Sequence, residues 1–124
     1  MENELSGMII GCGMRVHSSL GAGLLESAYE RCLYYELENE GLSVQQQVPL
    51  PLVYKGVELD CAYRLDLMVE NKVIVEIKSV ESIKPIHSAQ LLTYLKLADC
   101  KLGLILNFNV IHLKEGIKRV VNNL

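Results

Sequence analysis

The chain has 124 residues, half of them hydrophobic and 22% charged, which fits one compact domain with a real core and excludes a disordered, fibrous or two-domain protein. Its net charge of −3 is unevenly spread: residues 1–50 carry two basic and seven acidic side chains, residues 51–124 ten basic and eight acidic. The second part is thus weakly basic, well short of the footprint of a dedicated DNA-binding protein.

The mean hydropathy of +0.22 is high for a small monomer, so a homodimer that covers apolar surface is expected. The N-terminal stretch MENELSGMII has acids where a signal peptide carries Lys or Arg, and no apolar run approaches the ~18 residues of a membrane span. A cytoplasmic protein with no membrane partner is expected. Cys12, Cys32, Cys61 and Cys100 form no CxxC pair and read as reduced, mostly buried thiols.

Residues 3–18 read as a helix whose stripe is Leu5, Met8, Ile9, Cys12 and Val16, with Gly7 and Gly11 allowing close packing. After Gly21 and Gly23 a second helix is predicted over 24–39, with stripe Leu25, Tyr29, Cys32, Leu33 and Leu37, and Gly41 as its stop. The period then changes to two. Val48, Leu50, Leu52 and Tyr54 mark a strand that Pro49 and Pro51 assign to a sheet edge, and Lys55-Gly56 is a turn. Strands follow at about 57–69 and 73–79, Pro85 opens a helix to Ala98, and 102–108 is a short buried strand. The tail fits strand or helix. The order ααβββαβ is that of a single α/β domain spanning 1–124.

The strand VIVEIKSV poses a question, because Glu76 and Lys78 interrupt an aliphatic run. If Glu70-Asn71-Lys72 is a three-residue turn with Asn71 left-handed, Val69 pairs with Val73 and Asp66 falls opposite Glu76. Leu65, Leu67, Val69, Val73, Val75 and Ile77 then share one aliphatic face, while Arg64, Asp66, Met68, Ile74, Glu76 and Lys78 share the other. Two carboxylates opposite each other, roughly 5 Å apart at Cβ, repel and need compensation. A divalent cation supplies it, and Lys78, about 7 Å further on, is within reach of a metal-bound water or a phosphate. The trio suits metal-assisted phosphodiester hydrolysis. A simpler reading, favoured by spacing alone, is a solvated cluster in which Lys78 neutralises Glu76 and Arg64 neutralises Asp66.

Other polar residues occur where such a site needs them. Glu26 lies beside the second helix's apolar stripe, facing a site or merely favoured by the helix dipole. His87, Gln90 and Tyr94 form a polar line separate from Leu91, Leu92, Leu95 and Ala98. On that line Gln90 and Tyr94 suit contact with phosphate or water, Tyr94 equally suits packing, and His87 reads as a helix-start residue.

Taken together, GLLESAY (23–29), preceded by VHSSLGAG, then YRLDLMV, VIVEIKSV and HSAQLLTYLKL resemble the PD-(D/E)XK nuclease superfamily and, within it, the GxxExxY family. The resemblance covers nearly the whole chain, with four blocks in the right order. It implies an αβββαβ core with an extra N-terminal helix and a central mixed sheet flanked by helices. It also implies Asp66 and Glu76 as ligands of Mg²⁺ or Mn²⁺, helped by the Ile77 carbonyl, with Lys78 activating or orienting the attacking water. Glu26 matches the first-helix glutamate that supports the metal site, and Gln90 with Tyr94 matches the QxxxY feature of exonuclease-like branches. Leu65 stands where the superfamily name has proline. The function implied is a nuclease acting on nucleic acid, DNA in the first instance. The competing function is a catalytically silent nucleic-acid-binding or protein-interaction module that keeps the fold.

Overall fold

The computed structural model describes residues 1–59 and 63–124. Helix α1 (Glu2–Leu20) buries Leu5, Ile9, Cys12 and Val16, carries Glu2 and Glu4 in its first turn where the helix dipole favours them, and stops at Gly21. Met8, predicted for the buried stripe, is exposed instead. Gly7 and Gly11 face open space. The close approach is at Gly13, where an added Cβ would lie 3.1 Å from Leu113 and 3.3 Å from Leu106.

Helix α2 (Glu26–Asn39) begins two residues later than predicted, because Leu25 is its extended N-cap residue and is 76% exposed. Its buried face is Tyr29, Leu33 and Leu37, spaced by four. Strand β1 (Val44–Pro49) sits at the sheet edge, as its proline requires. The predicted continuation to Tyr54 does not form. Instead β2 (Leu52–Tyr54) and β3 (Val57–Leu59) make a separate hairpin around Lys55 and Gly56, both at positive φ.

The strand expected over 57–69 is represented by β3 and by β4 (Arg64–Val69). Its middle, with Cys61, lies outside the described residues. Among the other cysteines, Cys12 and Cys100 are buried and Cys32 half-buried, all free. Strand β5 (Val73–Lys78), helix α3 (Pro85–Ala98) and strand β6 (Leu102–Asn107) form a parallel crossover unit. The tail, open between strand and helix from sequence, turns through a short 3₁₀ helix (Leu113–Gly116) into strand β7 (Ile117–Val121). The five-stranded mixed sheet runs β1-β4-β5-β6-β7, antiparallel except at β5–β6.

The β4–β5 register is the one the turn predicts: Val69 pairs Val73, Met68 pairs Ile74 and Leu67 pairs Val75. Glu70 and Asn71 both take left-handed backbone, and the Lys72 N–H donates to the Val69 carbonyl at 3.0 Å. Leu67, Val69, Val73, Val75 and Ile77 pack against α1 and α2 as predicted. Leu65 does not continue that face, and joins Met68, Ile74, Leu91, Leu95 and Ile105 in a second cluster under α3. Gly103 permits that contact, since a Cβ there would come within 2.8 Å of Leu91. Both faces of β4–β5 are therefore covered, so the face carrying Glu76 is not the wetted surface of a simple antiparallel sheet.

Candidate active site

Beyond Leu67↔Val75 the hairpin changes its bonding. The Asp66 N–H donates to Glu76 Oε2 at 2.9 Å, and the Ile77 N–H donates to Asp66 Oδ2 at 2.7 Å. Each carboxyl group is thereby held against its neighbour's strand by a main-chain donor. Glu76 is 7% exposed and Asp66 half-buried. Burial, and then the Asp66 charge, push the Glu76 carboxyl up to about 8. Burial also raises Asp66, opposed by the Ile77 N–H and the Lys78 ammonium.

Lys78 ends β5 half-buried. The ion pairs of the solvated-cluster reading are not what forms: among the described residues the salt bridges join the N-terminus to Glu4, and Arg15 to Glu36 and Glu40. Arg64 instead donates to the Gln47 carbonyl at 3.3 Å. The main chain around Lys78 is fixed from several sides. Its carbonyl accepts from the Phe108 N–H at 3.0 Å, and the Val80 N–H and carbonyl are both bonded by the buried Asn107 side chain at 3.1 and 2.9 Å.

The first-helix motif reaches the same segment. Tyr29, fully buried and stacked on Phe108 at 4.5 Å, donates its hydroxyl to the Gly21 carbonyl at 2.6 Å and accepts from the Leu24 N–H at 3.1 Å. That clamp shapes the turn through Gly23, whose φ of +95° favours glycine. The turn delivers Glu26 Oε2 to the Ser79 N–H at 3.2 Å, while the Ser79 hydroxyl donates to the Leu24 carbonyl at 2.8 Å. Glu26 thus meets β5 immediately after Lys78. Below it, Glu26, Ser27, Glu30, Arg31, Gln46, Gln47 and Asp66 line a cleft of about 480 Å³.

On α3, Gln90 is exposed, and Tyr94 is only 8% exposed among Leu91, Leu95 and Met68. Tyr94 therefore belongs to the packed face and not to a separate polar line, because its ring is apolar enough to join the core while its hydroxyl stays near charge. Burial raises its hydroxyl pKa first, and the charges of Glu76, Tyr63 and Asp66 add to that rise. Its ring lies 6.2 Å from that of Tyr63. His87 accepts the Lys84 N–H at 3.0 Å, the helix-start role expected for it.

Ser79, Asn107 and Glu30 were not singled out from sequence. Ser79 directly follows the ExK segment, and Glu30 lies at i+4 from Glu26, so both carried a usable signal. Asn107 had none, being an isolated polar residue after an apolar strand.

The match that decides the family covers residues 3–120 and is to the PD-(D/E)XK nuclease superfamily. The chain belongs to that superfamily. No curated protein and no solved structure shows significant similarity to it. The mixed α/β architecture, with three helices and a five-stranded sheet among the described residues, is consistent with a PD-(D/E)XK fold, and the superfamily suggests a nuclease that engages nucleic acid.

Members of the PD-(D/E)XK superfamily usually use divalent metals. Among the described residues no group of three His, Cys, Asp or Glu side chains is placed to hold a metal ion. The donor set nevertheless fits a hard cation: Asp66 and Glu76 offer oxygen ligands only, one oxygen of each is anchored by a backbone N–H, and Mg²⁺ is commonly held by one or two carboxylates plus water. Among the described residues no helix is long and apolar enough to cross a membrane.

Proposed function

We propose that the chain, as one domain over residues 1–124, is a divalent-metal-dependent nuclease of the GxxExxY type that hydrolyses phosphodiester bonds in DNA. The observation that carries this reading is the cross-bonded Asp66–Glu76 pair with Lys78 two residues further along β5. A bound Mg²⁺ or Mn²⁺ would neutralise the two carboxylates and polarise the scissile phosphate. Asp66, Glu76 and the Ile77 carbonyl are the residues that would hold it.

In this reading Lys78 Nζ orients the attacking water or steadies a phosphate oxygen. The water oxygen bonds to phosphorus, the bond from phosphorus to a sugar oxygen breaks, and that oxygen leaves with a proton. Glu26 acts through the Ser79 N–H to keep Lys78 at the phosphate, and Gln90 with the Tyr94 hydroxyl contacts phosphate or water. The choice of DNA over RNA rests on the resemblance of the four sequence blocks. The reading also places the protein in the cytoplasm, consistent with the free thiols of Cys12, Cys32 and Cys100, and as a homodimer, for which Val53, Tyr54 and Val57 on the β2–β3 hairpin supply exposed apolar area.

The test is cleavage of supercoiled, linear and single-stranded DNA and of RNA, with Mg²⁺ and with Mn²⁺, by wild type, Asp66→Ala and Lys78→Ala. Cleavage by wild type alone is the expected result. Salt-dependent nucleic-acid binding with no cleavage under either metal would instead support a silent binding module.

A further inference from the structure

Gln46 and Gln47 are consecutive residues of β1, and in a regular strand their side chains would point to opposite faces. Here both amides reach one carboxylate: Gln47 Nε2 donates to Glu30 Oε1 at 2.8 Å, and Gln46 Nε2 to Glu30 Oε2 at 3.5 Å, the outer limit of such a bond. The backbone makes this possible. Gln47 has φ +49°, a left-handed conformation that glutamine rarely adopts within a strand. The apolar neighbours record the same twist, since Val44 packs on the α1–α2 side of the sheet and Val48 on the α3 side.

Gln47 falls opposite Asp66, between the pairs Gln46↔Leu67 and Val48↔Leu65. Its carbonyl is held by Arg64, the residue before Leu65. The same change of side occurs on β4, where Leu67 packs under α1–α2 and Leu65 under α3. A strained residue gripped at both its side chain and its carbonyl, directly across from a candidate ligand, matches the way backbone strain is retained where surrounding contacts over-determine a site.

We infer that Glu30, Gln46 and Gln47 form a clamp that fixes the Asp66 carboxylate against the Ile77 N–H, with Gln47 as a positioning residue. The clamp also occupies both Glu30 oxygens, which keeps this third acid of the cleft from competing with Asp66 for the Ile77 donor or for a cation. Its consequence for metal binding rests on the function proposed above. Its consequence for the Asp66–Ile77 hydrogen bond does not.

The experiment is amide hydrogen exchange of the metal-free full chain by NMR, followed by Mn²⁺ titration calorimetry, on wild type, Gln47→Gly, Glu30→Ala and the double variant. Glycine accepts the left-handed backbone, so Gln47→Gly removes the amide while relieving strain, and Glu30→Ala removes the anchor without touching β1. Each single variant should speed Ile77 exchange about fivefold to tenfold relative to Ile74, and the double variant should add nothing further. A general loss of stability would move both amides together. Mn²⁺ affinity should fall about tenfold in step. An unchanged Ile77-to-Ile74 ratio in both single variants, or additive effects in the double, overturns the clamp. A wild type that binds no Mn²⁺ while Ile77 still responds upholds the clamp and removes the metal reading alone.

Discussion

The two ends of the β4–β5 hairpin are built from the same two strands yet bonded differently. At the closed end, Val69↔Val73, Met68↔Ile74 and Leu67↔Val75 form an ordinary antiparallel ladder with aliphatic side chains on covered faces. At the open end, Asp66 and Glu76 replace carbonyls with carboxylates as acceptors for the N–H groups of Ile77 and Asp66. The closed end stabilises through burial. The open end orients two acids in a setting that disfavours their charge, which is the arrangement expected of a preorganised cation site and a poor choice for stability alone.

Breaking the open end should have the largest effect. Asp66→Asn keeps an acceptor for the Ile77 N–H but loses the charge, so cleavage should fall at least about a thousandfold while the fold persists, checked by steady-state cleavage beside a thermal melt. Lys78→Ala should lose activity on a similar scale with Mn²⁺ affinity nearly kept, a separation that calorimetry and cleavage assays can read together.

The pH dependence sharpens the contrast. Glu76 must give up its proton to bind a cation, and its pKa is raised to about 8, so Mn²⁺ affinity should climb up to about tenfold per pH unit below that value and level off above it. Stability should show the opposite trend. The folded state holds the Glu76 proton up to about 8, whereas the unfolded chain releases it near its ordinary value of 4.5, so stability is progressively lost as pH rises between the two. Glu76→Gln removes that loss. It should be more stable than metal-free wild type at pH 8 by up to about 4 kcal/mol and nearly equal at pH 4, measured by urea denaturation.

The closed end should yield the smallest change. Asn71→Gly, at a left-handed turn position, should alter stability by no more than about 0.5 kcal/mol and leave cleavage unaltered, in paired denaturation and cleavage experiments.

How much of this was legible in the sequence followed from how local each determinant is. The hairpin register needed only a turn and a period of two, so the ladder from Val69↔Val73 to Leu67↔Val75, which brings Asp66 to Glu76, came out directly, as did the α3 start at Pro85 and the edge position of β1. Burial of the Glu76 face was not readable, because it depends on α3 folding back over the sheet. Tyr94 stayed open between the polar line and the packed face because its type is amphipathic and only packing decides which part dominates. Leu65 changed faces beside the left-handed Gln47, a residue with no sequence signal for that backbone. Pro49 pointed to the edge but not to the break after it that separates β1 from the β2–β3 hairpin. The Tyr29 clamp, by contrast, links GLLESAY to Ser79 across more than fifty residues, and the motif is visible in sequence without its partner.

The most direct test of the account is titration calorimetry of Mn²⁺ into wild type and Asp66→Ala at pH 8, close to the raised pKa of Glu76. Binding in wild type that is lost in Asp66→Ala, with proton release that grows at lower pH, is the predicted result. Equal binding by both proteins, or none by wild type, would contradict the claim that the cross-bonded carboxylates at the open end of β4–β5 form the metal site.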